Sequence, residues 1–286
     1  MRRTALAAVF VLVVVPQTFA STWLKTVAEA QKVAKQKNQL IFVDLFAQWC
    51  TWCHKFEKEV FPTPAFQGAT KDMILLRLDT EDGKEGTAFA RKYQITSLPT
   101  FLILAPDLSI AGQMRGYLPA DPFVGQLKAT RVQYDEFRKR VKGEGAIAKN
   151  YQARLELARE FSRRQAYAES EPRLRKLSAD PKAPVAIRDL AHYEIAVGRL
   201  IQRQYGEALR VVRELMARSK SGEAVERANL LVAQVYLEQG NLSAARTEFR
   251  GFKQKFPASG FVPNVDRMLL DLDRRLGAAA SLPGTR

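Results

Sequence analysis

The chain's pattern of apolar and polar positions changes character midway. The stretch Leu40-Ile41-Phe42-Val43-Asp44-Leu45-Phe46 is rich in β-branched and aromatic residues and does not alternate with polar ones. That is the pattern of a central strand covered on both faces. Before it, residues 22–38 carry Leu24, Val27, Ala28, Ala30 and Val33 among lysines and predict a short amphipathic helix. After it, a helix is expected from near Cys50, with an apolar seam through Phe56, Val60 and Phe61 and a stop or kink at Pro62 and Pro64. Residues 73–78 predict a second buried strand, 85–93 a helix, 98–104 a strand opened by Pro99, and 108–115 a strand that Gly116 ends. Asp121 is expected to cap a closing helix, with Pro122 at its first position and Phe123, Leu127, Val132 and Phe137 along its inner side. Strand and helix alternating, then a hairpin and a helix, describe a small α/β layer domain.

Beyond Lys142-Gly143-Glu144-Gly145 the strand-like runs stop, and alanine, leucine, arginine and glutamate recur at helical spacing. Tyr167-Ala168-Glu169-Ser170 returns as Tyr205-Gly206-Glu207-Ala208, 38 residues on, and Ala208 corresponds to Ala245, a further 37. The last copy sets Ala233, Tyr236, Ala245, Phe249 and Pro257 at intervals that resemble a tetratricopeptide helix pair. Three helix hairpins over residues 147–257 and a capping helix over 262–276 are expected to bury one continuous core. The reading divides the chain into 21–142, a linker at 143–146 with glycines as a hinge, a tetratricopeptide-like helical-repeat domain at 147–277, and a disordered tail at 278–286.

Composition narrows the function classes. Arg2 and Arg3 precede an apolar stretch from Ala5 to Val15, Pro16 breaks it, and Thr18-Phe19-Ala20 offers a small-residue cleavage site. Residues 1–20 therefore read as a signal peptide, too short for an ordinary membrane span, and the protein as exported and periplasmic. The formal charge of +15 is spread over both halves. With dispersed charge and no recognisable nucleic-acid motif, solvated helix faces account for it, and no nucleic-acid partner is expected.

Only two cysteines are present, Cys50 and Cys53, so no framework of disulfides can staple distant parts of the fold. At the opening of a helix, free amides and the positive end of the dipole favour a thiolate, which makes Cys50 the attacking thiol. Cys53, one turn on, can close onto it as the resolving thiol, the geometry of disulfide exchange. Rival uses of the pair are a structural disulfide, a metal site, or covalent haem, since Cys50-Thr51-Trp52-Cys53-His54 satisfies C-x-x-C-H. Metal is starved of ligands, because beyond this segment the only other histidine is His192, in the repeats. Asp44 interrupts an apolar strand, where a buried carboxyl tends to keep its proton, unless the strand lies at an edge in water. His54 is either a cation near the helix start or a solvent-facing residue.

The segment Val43-Asp44-Leu45-Phe46-Ala47-Gln48-Trp49-Cys50-Thr51-Trp52-Cys53 resembles the strand-to-active-site motif of the thioredoxin family, with Asp, Trp and both Cys in register. Ile95-Thr96-Ser97-Leu98-Pro99-Thr100 resembles the family's second motif, and Glu57-Lys58-Glu59-Val60-Phe61 is similar to periplasmic members such as the C-terminal domain of DsbD. The resemblance covers residues 22–142. It implies a thioredoxin-like fold, a cis Leu98-Pro99 bond that positions a substrate strand, a substrate-facing Trp49, and an Asp44 that moves protons to or from Cys53.

The resulting expectation is an exported thiol-disulfide oxidoreductase: catalytic Cys50, Cys53 and Asp44; substrate-binding Trp49, Leu98 and Pro99; no metal, and no cofactor beyond the redox-active disulfide. Its expected partners are disulfide-containing protein substrates, a membrane protein that donates or accepts electrons, and a protein held on the repeats. Thr51-Trp52 is neither the Gly-Pro of thioredoxin nor the Gly-His of disulfide isomerases. Reduction is the favoured direction, with oxidation, isomerisation or a repeat-based scaffold as alternatives.

Overall fold

The computed structural model describes residues 23–280. The signal peptide expected at 1–20 lies outside them, as does residue 281 onward of the expected disordered tail. The described residues divide into two compact units, 23–102 with 114–126, and 103–113 with 127–280.

In chain order the elements are α1 (Val27–Lys37), β1 (Ile41–Phe46), α2 (Thr51–Glu59), α3 (Pro64–Thr70), β2 (Ile74–Asp79), α4 (Glu85–Lys92), β3 (Thr100–Leu104), β4 (Ile110–Arg115) and α5 (Ala120–Lys142). The strands form one sheet in the order β2-β1-β3-β4. β1, β3 and most of β2 are buried, as non-alternating strands require. β1 and β2 run parallel with Asp44 opposite Arg77 and Phe46 opposite Asp79.

An aromatic core seats α2 on this sheet. Phe56 of α2 meets Phe101 of β3 at 4.6 Å and Phe123 of α5 at 4.8 Å between ring centroids. Phe42 of β1 meets Phe66 of α3 at 5.4 Å and Phe101 at 5.6 Å. All five rings are fully buried, and burying each contributes roughly 1.5–3 kcal/mol. Pro64 stands at the first position of α3 and Thr63 caps it, so the prolines separate two helices rather than bend one.

Three expectations need correction. The first helix starts at Val27, not in the low twenties: Thr26 caps it, and Leu24 is instead extended, bridged to Leu76 beside β2. Its amide donates to the Leu75 carbonyl and its carbonyl accepts from Arg77 N, which uses Leu24 as sheet. The closing helix starts at Ala120, so Asp121 and Pro122 lie within its first turn. Val132 is 59% exposed, and the inner side of that helix runs through Phe123, Leu127, Tyr134 and Phe137.

The second unit continues through a short 3-10 turn (Glu144–Ile147) into α6 (Tyr151–Arg163), α7 (Tyr167–Ala179), α8 (Val185–Ile201), α9 (Tyr205–Arg218), α10 (Glu223–Glu238), α11 (Leu242–Lys255) and α12 (Val262–Ala280). The internal repeat is visible in the backbone. Gln165, Arg203 and Gly240, spaced 38 and 37 residues apart, all take positive φ where α6, α8 and α10 end. Behind each, the next amide reaches back to the helix: Ala166 to the Phe161 carbonyl, Gln204 to Arg199 and Asn241 to Tyr236. This is the Schellman termination, which satisfies carbonyls the helix leaves orphaned. Ala158, Ala196 and Ala233 are fully buried at the same spacing, as are Ala208 and Ala245, with Ser170 nearly so. Small residues there let successive helices approach, and Ser170 Oγ donates to the Ala158 carbonyl at 2.9 Å. Within this unit Arg164 covers β4, its guanidinium donating to the carbonyls of Ile110 and Ala111 at 3.1 and 2.9 Å. An otherwise open strand edge is thereby occupied.

Candidate active site

The turn from β1 into α2 carries the cysteine pair. Cys50 is the N-cap of α2 and Cys53 lies in its first turn, joined by a disulfide with sulfurs 2.01 Å and Cα atoms 5.2 Å apart. The Cys53 amide donates to Cys50 Sγ at 3.2 Å. A helix N-terminus offers such amides to whichever atom caps it, and a sulfur there gains most when it is negative. Both cysteines are buried, while Trp49 and Trp52 beside them are 66% and 53% exposed.

Each indole is held. Trp49 Nε1 donates to Glu81 Oε1 at 2.9 Å, from the loop between β2 and α4. That loop is fixed at its far end, where Gly86 packs so closely that a Cβ would stand 1.9 Å from the Asp79 carbonyl oxygen. Trp52 packs on Tyr117 with centroids 5.1 Å apart, Lys55 lies over both rings, and the Tyr117 hydroxyl donates to Glu59 Oε2 at 2.6 Å. Leu98 is half-buried and Pro99 buried, and the bond between them is cis. The Pro99 carbonyl accepts from Gly116 N at 3.0 Å, next to Tyr117.

Asp44 is 1% exposed in the middle of β1, so the alternative of an edge carboxylate in water is overturned. Burial pushes its carboxyl up to about 7, opposed by the Arg77 guanidinium and assisted by the Glu57 charge. Arg77 Nε stands 3.1 Å from Asp44 Oδ2, but the pair lacks hydrogen-bond alignment. The guanidinium is instead committed to Glu57, donating through both terminal nitrogens at 2.8 and 3.0 Å. Arg77 accordingly holds the Glu57 carboxyl below its ordinary range. It offsets only part of Asp44's desolvation.

The structure places both cysteines at the start of α2, Asp44 inside β1 and Trp49 on the surface; sequence reasoning assigned no role to Arg77, Glu81 or Tyr117. Arg77 alone left a trace: an arginine inside a strand otherwise apolar from 74 to 78 needs a buried anion. Among the described residues no group of three His, Cys, Asp or Glu side chains is placed to hold a metal ion.

Fold and site together define a thioredoxin-like domain bearing a C-x-x-C disulfide, followed by a helical region. Residues 27–131 match the family model described as thioredoxin-like domain. The thiol:disulfide interchange protein DsbD of Klebsiella pneumoniae is 34% identical over 113 residues, which are 38% of this chain and 19% of that protein. DsbD of Pseudomonas fluorescens is 35% identical over 118 residues, 39% of this chain and 20% of that one. The chain thus spans about a fifth of the length of these relatives. Among solved structures, the reduced C-terminal domain of Neisseria meningitidis DsbD is 21% identical, with a TM-score of 0.34 over 36% of this chain and 92% of that one.

Proposed function

We propose that the protein is an exported thiol-disulfide oxidoreductase that reduces disulfides of envelope proteins. The observation that carries this reading is Cys50 Sγ capping a helix and accepting the Cys53 amide; the buried Asp44 six residues earlier on β1, its carboxyl pushed up to about 7, is the proton acceptor we assign to the pair. In the reduced protein the Cys50 thiolate attacks one sulfur of a substrate disulfide. A Cys50–substrate bond forms, the substrate S–S bond breaks, and the departing sulfur takes a proton. Cys53 then gives its proton to the Asp44 carboxylate and attacks Cys50 Sγ, closing the Cys50–Cys53 disulfide and releasing the second substrate sulfur, which leaves as a thiol by taking up that proton. Two electrons pass to the substrate, and a dithiol partner restores them. We assign that role to a membrane electron donor, and the reductive direction to the DsbD-like segment after the cysteines. Among the described residues no helix is long and apolar enough to cross a membrane.

The equilibrium reduction potential of the pair, read by tryptophan fluorescence in thiol buffers, tests the direction. A value near about −270 mV is expected. One near about −120 mV would turn the assignment to disulfide formation.

We assign Trp49, Leu98 and Pro99 to substrate docking, and the tetratricopeptide-like helices to recruitment of a protein partner. Support for recruitment comes from a cavity of about 320 Å³ in the helical unit, lined in part by Tyr193, Arg227, Leu230, Phe261 and Met268. Recruitment raises effective concentration without new chemistry. Trp49→Ala and Met268→Glu should therefore each slow exchange with the natural protein substrate by about tenfold and leave exchange with a small disulfide within about twofold. Equal losses on both substrates would remove the docking assignments.

A further inference from the structure

We infer that His54 is a positioning residue for the Cys50 thiol, acting as an imidazolium that clamps the loop before the attacking cysteine; this rests on the oxidoreductase reading. His54 Nε2 lies 2.8 Å from the Gln48 carbonyl oxygen. A carbonyl only accepts, so Nε2 carries a proton whether the ring is charged or neutral. The other ring nitrogen, Nδ1, faces Glu57 Oε2 at 3.8 Å. A neutral ring turns a lone pair towards that carboxylate, whereas a charged ring turns an N–H towards it. The arrangement therefore has two favourable contacts for the imidazolium and one for the imidazole.

The surroundings agree. Glu57, on the same helix, is the anion that faces the ring, and behind it stand Arg77 of β2, bonded to the same carboxylate, and Asp44 of β1. Lys55 and Lys58 follow on α2, and Lys55 is turned to Trp52, Tyr117 and Glu59. Along the backbone, His54 N donates to the Cys50 carbonyl at 3.2 Å, so main chain and ring together close residues 48–54 into one braced loop with Cys50 inside it.

Two effects follow. The Nε2–H bond fixes the backbone that carries Cys50 Sγ, at any pH. A positive charge on the ring, one turn from Cys50 on the same helix, adds to the helix amides in stabilising the thiolate.

The test separates them in the full chain. With Cys53→Ser as background, thiolate absorbance of Cys50 is titrated with His54 intact and as His54→Gln, which keeps an N–H for the Gln48 carbonyl but has no charge, and as His54→Ala, which has neither. Exchange with a small aromatic disulfide is followed against pH in the same three proteins with Cys53 restored. Both substitutions should raise the Cys50 titration by about one unit, so that thiolate content and exchange rate at pH 6 fall about tenfold and converge with the parent above pH 9. Only His54→Ala should also loosen the loop, seen as faster amide hydrogen exchange at residues 48–54. His54→Lys should restore part of the low-pH rate. If the Cys50 titration of His54→Gln superimposes on that of the parent, the charge has no role and the inference is overturned. If the parent itself exchanges no disulfide while its Cys50 titration responds to His54, it is the oxidoreductase reading that fails.

Discussion

Cys50→Ser should abolish disulfide exchange, with a loss of at least about 10³-fold, while Cys53→Ser should leave a protein that still attacks but cannot let go. The asymmetry follows from geometry. Cys50 Sγ is the cap of α2 and receives the Cys53 amide, which favours the thiolate, whereas Cys53 Sγ lies within the first turn, past the cap. On the proposed reading, Cys50 opens the substrate disulfide and Cys53 resolves the mixed disulfide. Exposing Cys53→Ser to envelope proteins and separating them without reductant should yield covalent adducts that disappear on adding dithiothreitol, and Cys50→Ser should yield none. Adducts through Cys53 in the Cys50→Ser protein would reverse the assignment of attacking and resolving thiols.

Asp44→Asn has the second largest expected effect, and it acts on rate and stability in opposite directions. In the unfolded chain the carboxyl titrates at 3.8, in the folded chain at about 7. Below 3.8 both states hold the proton. Between the two values the unfolded chain has released it and the folded chain has not, so stability falls by about 1.4 kcal/mol per pH unit as pH rises. Above 7 the penalty levels off at about 4 kcal/mol. Asparagine carries no such penalty, so the variant's stability advantage over the parent should grow by about that amount between pH 4 and pH 8, read from denaturant midpoints at each pH. Arg77 keeps Glu57 as partner in the variant, which limits the loss of the ion pair. Exchange, by contrast, should slow about a hundredfold near neutrality, because Cys53 loses its proton acceptor. A parent whose stability is flat from pH 4 to 8, or a variant with the parent's rate profile, would show that Asp44 neither titrates near 7 nor moves the proton.

Much of this site was legible in the sequence because its parts are close in the chain. The cysteines are three residues apart, and Asp44 precedes Cys50 by six. Helical and strand periodicities then say which of them share a turn and which are buried. The helical repeat was legible for a similar reason: identical small residues recur wherever one hairpin repeats the contacts of the last. Boundaries were harder. Leu24 fits the first turn of a helix by spacing, yet it is extended and pairs with Leu76. Val132 fits an apolar helix face by spacing, yet it is Tyr134 that faces inward.

By itself, then, the sequence determined the order of elements, the helix that opens at the cysteine pair and the recurrence of the helix hairpin, while the cis Leu98–Pro99 bond came from the family resemblance. The elements and the helix start depend on residues within a few positions of one another, where backbone geometry leaves few choices, and the repeat on one local pattern recurring at 37–38 residues. Tertiary structure alone decided what tunes the site: Arg77 opposite Asp44, Glu81 under Trp49, Tyr117 under Trp52 and Gln48 under His54. The first three partners lie 32 to 65 residues from the groups they hold, and even the six residues between Gln48 and His54 pass through a turn. Their meeting depends on how strands align and how the phenylalanine core seats α2, and no local periodicity encodes it.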